Sequence, residues 1–134
     1  MENVADTDIY TFLKNYIGKE IIYIPNPGNA GDSLIAFGTL NVFDEVGLNY
    51  TIGDFKATYT DKLLFYAGGG NLVGLYSQCR SFFENNMSNN TIILLPHTIK
   101  DEDALIKSFN DSIIIICREL VSYAYVSSLI KNKK

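Results

Sequence analysis

Lys62-Leu63-Leu64-Phe65-Tyr66-Ala67-Gly68-Gly69-Gly70-Asn71, residues 62–71, sets an apolar run directly against three glycines. A short apolar run without alternation reads as a strand covered on both faces. This one empties directly into three glycines, whose backbone can approach a ligand closely and take φ values that a Cβ forbids. A helix is expected next, over 75–86, which would place the turn amides at a helix N-terminus suited to an anion. A tight turn also needs glycine for purely structural reasons, so the stretch by itself names no ligand.

The same pattern repeats on either side. Ile21–Ile24, Tyr50–Ile52, Thr91–Leu95 and Ile113–Cys117 read as further strands, with Pro25-Asn26-Pro27-Gly28, Gly53-Asp54 and Pro96 as stops. Ile9, Phe12, Leu13, Tyr16 and Ile17 recur at helical spacing over 7–17, with Asp6 or Thr7 as cap and Gly18 as terminator. Helices are also expected over 33–46, with Gly47 just past the end, over 101–109 and over 119–130. Residues 53–62 are too few and too polar for a helix and read as a loop. Tyr10, Tyr16 and Tyr125 fall in helical apolar stripes and are assigned to the core, and Arg80 to the surface. Strands alternating with helices predict an α/β fold, an open doubly wound, mainly parallel sheet of about five strands, in a single Rossmann-like domain spanning 1–134.

Composition narrows the function classes. A hydrophobic content of 47% with 13% aromatics excludes global disorder. A net charge of −4 argues against a nucleic-acid or polybasic membrane role, and Lys131, Lys133 and Lys134 read as a solvated tail or a complement to a helix C-terminus. Cys79 and Cys117 lack metal-ligand spacing, so neither a metal site nor a disulfide framework is expected. The acidic, polar N-terminus is no signal peptide, and Ile113–Cys117 is far too short to span a bilayer. A cytoplasmic location is the expectation, and the Asn-x-Ser/Thr triplets at Asn49, Asn86, Asn89 and Asn110 carry no glycosylation.

In a sheet of this kind ligands collect beyond the carboxyl ends of the strands. Those ends read Asn26-Pro27-Gly28-Asn29-Ala30-Gly31-Asp32-Ser33, then Gly68-Gly69-Gly70-Asn71, then Pro96-His97-Thr98, then Arg118-Glu119. The first is neither a dinucleotide fingerprint nor a Walker loop, which disfavours NAD and ATP, and with them a small methyltransferase or other Rossmann enzyme. Asp32 reads as a helix N-cap or as a carboxylate that binds a sugar hydroxyl and accepts its proton. His97, the one histidine, reads as a structural hydrogen-bonder or as a proton carrier. Arg118 reads as an ion pair with Glu119 or as a clamp on an anion, and Ser122 and Tyr123 as capping or core residues.

NAGDSLIAFGT, LLFYAGGGNLVGLY, LLPHTI and CRELVSY, in that order, resemble the polysaccharide pyruvyl transferases. The shared motifs are Asn29, Gly31 and Asp32; Gly68–Asn71 and Leu72; Leu95, Pro96, Thr98 and Ile99; and Arg118, Glu119 and Ser122. The resemblance runs from about residue 21 to 130. It implies transfer of a pyruvyl group from phosphoenolpyruvate, as donor substrate and without a cofactor, onto a saccharide or lipid-linked saccharide, making a ketal on a surface or exopolysaccharide. Such chemistry needs a base, an acid and an anion clamp. Asp32 and His97 are the catalytic candidates. Asn29, Gly31, Gly68, Gly69, Gly70, Asn71, Thr98 and Arg118 are the substrate-binding candidates. The family resembles two Rossmann-like domains in a GT-B-type architecture at least twice this length. The expectation is therefore that only the N-terminal half is present, that the missing or separate C-terminal domain carries the basic residues gripping phosphoenolpyruvate, and that this chain alone lacks half of the site. Many relatives carry Gln at the position of His97. The competing reading is a truncated, non-catalytic sugar- or anion-binding module of the same fold.

Overall fold

The computed structural model describes residues 8–130. Its elements in chain order are α1 (Ile9–Lys14), β1 (Glu20–Ile24), α2 (Ala30–Val46), β2 (Asn49–Ile52), β3 (Leu63–Tyr66), β4 (Gly69–Leu72), α3 (Gln78–Asn86), β5 (Thr91–Ile99), α4 (Asp103–Ser108), β6 (Ile113–Cys117) and α5 (Leu120–Ile130). Every strand pair is parallel. β3 and β4 lie one after the other along the same flank of β5, Leu63–Tyr66 beside Thr91–Leu94 and Gly69–Leu72 beside His97–Ile99. Counting them as one interrupted strand gives the order β2-β1-β3/β4-β5-β6.

Two apolar layers sandwich the sheet. Leu13 of α1 and Phe43 of α2 cover one face over Ile21, Tyr23, Phe65 and Ile93. Phe82 and Phe83 of α3, Ile106 of α4 and Val126 of α5 cover the other over Leu64, Tyr66, Ile92 and Leu94. α2 therefore leaves β1 toward one face and α3 leaves β4 toward the other. The reversal opens a crevice between the carboxyl ends of β1 and β3/β4, where open α/β sheets take their ligands.

The elements differ from the sequence expectation in ways that matter for this crevice. The triple glycine is not a turn feeding a helix. It continues the strand, because Gly68 and Gly69 let the backbone press against β5, and α3 begins only at Gln78. A β-carbon at Gly68 would stand 2.7 Å from the Pro96 carbonyl oxygen. β5 likewise does not stop at Pro96. It runs on to Ile99 by taking an irregularity there, where the three-residue step from Leu94 to His97 faces the two-residue step from Ile115 to Cys117. Proline, which cannot donate to a ladder, is tolerated at such a bulge.

α2 starts at Ala30, three residues before the expected start at 33, because Asn29 caps it: the Asn29 side chain accepts from the amides of Gly31 (2.9 Å) and Asp32 (3.3 Å). The cap reading of Asp32 is thereby corrected, since Asp32 is the third residue of the helix. Gly47, at φ +85°, closes α2 with its amide on the Phe43 carbonyl, as expected of a glycine past a helix end. α1 and α4 are shorter than expected. Asp8 caps α1, and Asp6, Thr7, Lys131, Lys133 and Lys134 lie outside the described residues. Residues 53–62 form no helix, as expected. That loop is held instead by Asn86 and Asn90, both buried, whose side chains bind the backbone of Ala57, Tyr59 and Lys62.

Arg80 is not a free surface charge. Its guanidinium clasps the buried Glu102 carboxylate through Nε (3.0 Å) and Nη2 (2.7 Å), and the same carboxylate accepts from the Gly74 amide, tying the β4–α3 loop to α4. Nor do the three tyrosines share one role. Tyr16 packs edge-on against Phe65, but Tyr10 is exposed and donates to Glu45. The Tyr125 hydroxyl takes the Glu102 amide at 2.7 Å and donates to Asp103.

Candidate active site

The crevice is built by close approach of three strand ends. Gly28 lies against Asp32 so tightly that a β-carbon there would fall on the carboxylate. The Asp32 carboxylate thus occupies the space that a side chain at residue 28 would need. Gly69 stands opposite at φ +152°, and a β-carbon there would lie 3.6 Å from Asp32 Oδ1, 3.7 Å from His97 Cε1 and only 2.7 Å from Asn26 Nδ2. Gly69 is thus required twice, by its backbone conformation and by its neighbours. Arg118 comes over from the end of β6, its Nη2 3.9 Å from the position of a Gly70 β-carbon. The glycine strand is thus flanked by the Asp32 carboxylate on the Gly69 side and by the Arg118 guanidinium on the Gly70 side.

Behind the glycines runs a chain of side-chain hydrogen bonds. Asn26 Nδ2 donates to the Gly68 carbonyl at 3.0 Å, and Asn71 Nδ2 donates to Asn26 Oδ1 at 3.0 Å. Asn71 Oδ1 meets His97 Nε2 at 2.9 Å, and His97 Nδ1 meets the Ala67 carbonyl at 3.1 Å. His97 is fully buried. Burial holds its pKa down at about 4, against a raising contribution from the Ala67 carbonyl, and the Arg118 charge lowers it further. The Tyr66 hydroxyl, buried on the same side, has its pKa pushed far up, mainly by burial. His97 thus braces the glycine strand rather than presenting a ring to the crevice. Asn26 escaped the sequence reading, although it sits in the first strand-end loop, because nothing in its spacing tells a turn asparagine from a bracing one.

Thr98 and Glu119 do other work. Thr98 Oγ1 donates to Glu119 Oε2 at 3.0 Å, and Ser122 Oγ donates to Glu119 Oε1 while accepting the Ile99 amide at 2.8 Å. The Ser122 hydroxyl, more than any other group, holds the Glu119 carboxyl below its usual pKa. Glu119 and Ser122 stitch the start of α5 to the end of β5. Arg118 keeps only a loose 3.8 Å pairing with Glu119 and is about half exposed. Asn29 and Gly31 act in the α2 cap. Of the substrate-binding candidates, Gly69 and Gly70 form the strand between Asp32 and Arg118, Gly68 and Asn71 join the hydrogen-bond chain behind it, and Thr98 is engaged elsewhere.

A cleft of about 450 Å³ leads away from Gly68, Gly69 and Arg118 between α1 and α2, with Leu34, Val42 and Leu95 on its walls. Leu34 and Phe37, at the start of α2, are largely exposed at 72% and 68%, so the site borders apolar surface. Among the described residues no cluster of side chains suits a metal ion, and no helix is long and apolar enough to cross a membrane.

Residues 29–133 match the family model of the polysaccharide pyruvyl transferases. The chain belongs to that family. The match begins at the Asn29 cap of α2 and takes in the carboxyl ends of β4, β5 and β6. A crystal structure of a functionally uncharacterized protein from Klebsiella pneumoniae is also similar, with 34% sequence identity and a TM-score of 0.82 over 92% of this chain. The chain spans about half of that protein, 50% of its length. No protein of curated function matches the chain.

Proposed function

We propose that this pyruvyl transferase domain forms one wall of a site that moves a pyruvyl group from phosphoenolpyruvate to a sugar hydroxyl, leaving a ketal on a surface or exopolysaccharide. The observation that carries the reading is the placement of Asp32 beside Gly69 and of Arg118 beside Gly70 at the reversal point of the sheet. In the reaction a sugar oxygen adds to the enol carbon while the methylene takes a proton and becomes methyl. A second hydroxyl then displaces phosphate. Asp32 takes the proton of the attacking hydroxyl, as a carboxylate within hydrogen-bond reach would. The Gly69–Gly70 backbone and Arg118 receive the anionic donor. His97, buried and engaged at both ring nitrogens, enters as a positioning residue that holds the glycine strand in place.

The wall is polar at its mouth and apolar in the cleft beside α1 and α2, which suits a lipid-linked saccharide as acceptor. Phosphoenolpyruvate as donor places the reaction in the cytoplasm. Arg118 is the one cation among the residues lining this cleft. A donor carrying both a carboxylate and a phosphate needs more than that, so the remaining basic groups come from a second α/β half, in the same polypeptide or another. The same observation favours the second reading, in which this domain by itself binds a sugar or anion without turning it over.

Phosphate release from phosphoenolpyruvate with galactose- or mannose-containing acceptors tests both readings. Release that requires the second half and is lost with Asp32→Ala supports the transferase. Full activity in an Asp32→Ala variant of the complete enzyme would overturn the role given to Asp32. Anion binding with no release in any combination leaves the binding module.

A further inference from the structure

The hydrogen-bond chain behind the glycine strand has an acceptor at each end, the carbonyls of Gly68 and Ala67. Four contacts connect them, and each needs one hydrogen. Asn26 supplies the first and Asn71 the second, which leaves Asn71 Oδ1 and the Ala67 carbonyl both facing nitrogens of the His97 ring. A neutral imidazole has one hydrogen to give, and an imidazolium has two. Turning the amides over does not help. A flipped Asn71 donates to His97 Nε2 but sets its oxygen against Asn26 Oδ1, and flipping Asn26 in turn sets its oxygen against the Gly68 carbonyl. In every orientation a neutral ring leaves one contact without a hydrogen.

Burial nevertheless opposes the charged ring, and of the charged groups around it Arg118 acts in the same direction. The groups facing His97 are Tyr66 of β3, at 6.3 Å between ring centroids, Asn71 of β4, Cys117 of β6 in register with it, and Arg118 at the head of α5. Asp32 of α2 stands across Gly69, and Cys79 of α3 lies behind Tyr66. An anion on Arg118 would offset the smaller of the two effects that disfavour the imidazolium, burial being the larger, and the second ring hydrogen would complete the chain that holds Gly68 and Asn71. We propose that an anion seated on Gly69, Gly70 and Arg118 is taken up together with one solvent proton, which goes to His97 and locks the glycine strand. The inference rests on the anion site of the proposed function and adds its proton linkage.

His97 is the chain's only histidine, so its ring nitrogens can be followed directly by nitrogen-15 NMR. Sulfate is the probe, because its charge does not change over the range used. Without it, the ring should show one protonated nitrogen at neutral pH. With saturating sulfate, the ring should titrate at a higher pH, and sulfate affinity should rise by up to tenfold per pH unit between that raised value and the free value of about 4. His97→Gln should abolish that slope, and Asp32→Asn should keep it. A ring already doubly protonated without sulfate, a ring indifferent to bound sulfate, no sulfate binding, or a slope that survives in His97→Gln would each overturn the proposal. Loss of pyruvyl transfer with the linkage intact would instead overturn the transferase reading and leave the linkage standing.

Discussion

Two asparagine-built networks brace this sheet, one at its amino edge and one at its carboxyl edge, and they are satisfied to different degrees. At the amino edge Asn86 donates both amide hydrogens, to Ala57 and Phe82, and accepts the Tyr59 amide. Asn90 does the same with Tyr59, Asn86 and Lys62. Every donor there has an acceptor, and the network replaces the helix that the β2–β3 connection lacks. At the carboxyl edge Asn26, Asn71 and His97 join two carbonyls and are one hydrogen short when the ring is neutral. Completed networks serve stability, whereas an incomplete buried one costs free energy and survives where a ligand or a proton completes it.

The sharpest way to separate the two edges is Asp32→Ala. Turnover in the complete enzyme should fall by about 10²–10⁴-fold, as for loss of a general base. Urea unfolding should change little, because Asn29 and not Asp32 caps α2. The next effect is one of pH. The folded pKa of His97, about 4, lies below its ordinary 6.5, so the unfolded chain binds the proton first. That contribution is present in full above pH 6.5 and is lost as pH falls toward about 4, by roughly 3 kcal/mol at 1.36 kcal/mol per unit. Urea titrations of the wild type and His97→Gln across that window should show the difference, and parallel curves would contradict the burial of a neutral ring.

Asn86→Ala addresses the other edge. It strands the Tyr59 amide and the Ala57 carbonyl, and should cost about 2–3 kcal/mol in urea while leaving sulfate affinity at the carboxyl edge intact. An equal loss of affinity would show that the edges are not independent. The smallest effect on folding is expected from Arg118→Ala. Its pairing with Glu119 is long and solvent-exposed, so the melting temperature should hold while anion affinity drops by about tenfold.

Local residue patterns carried a good part of this description. Five apolar runs between helical segments were enough for a doubly wound parallel sheet, since a strand without alternation must be covered on both faces. Gly47 marked the end of α2, and the polar residues 53–62 excluded a helix. The strand ends that hold the site were visible as loops rich in glycine and polar residues. What could not be read was the partner of each polar side chain. Arg80 looked like surface because Glu102 lies 22 residues away, and Asn26 looked like a turn residue because Gly68 lies 42 away.

Hydrophobic patterning was enough to give the α/β layering, five of the strands and the identity of the groups at their ends. Those follow from hydrophobic periodicity and from backbone rules that act over a few residues. What the triple glycine is, and which way His97 points, depended on contacts between distant segments. Gly69 and Gly70 resume the strand because β5 runs on alongside them, and β5 runs on because an irregularity between Leu94 and His97 accommodates Pro96. Strict alternation would have put His97 on the face of Leu95. The extra residue sets it on the face of Leu94 instead, against Tyr66 and Asn71. A single inserted residue in one strand thus turned a candidate proton donor into the brace behind the glycine strand.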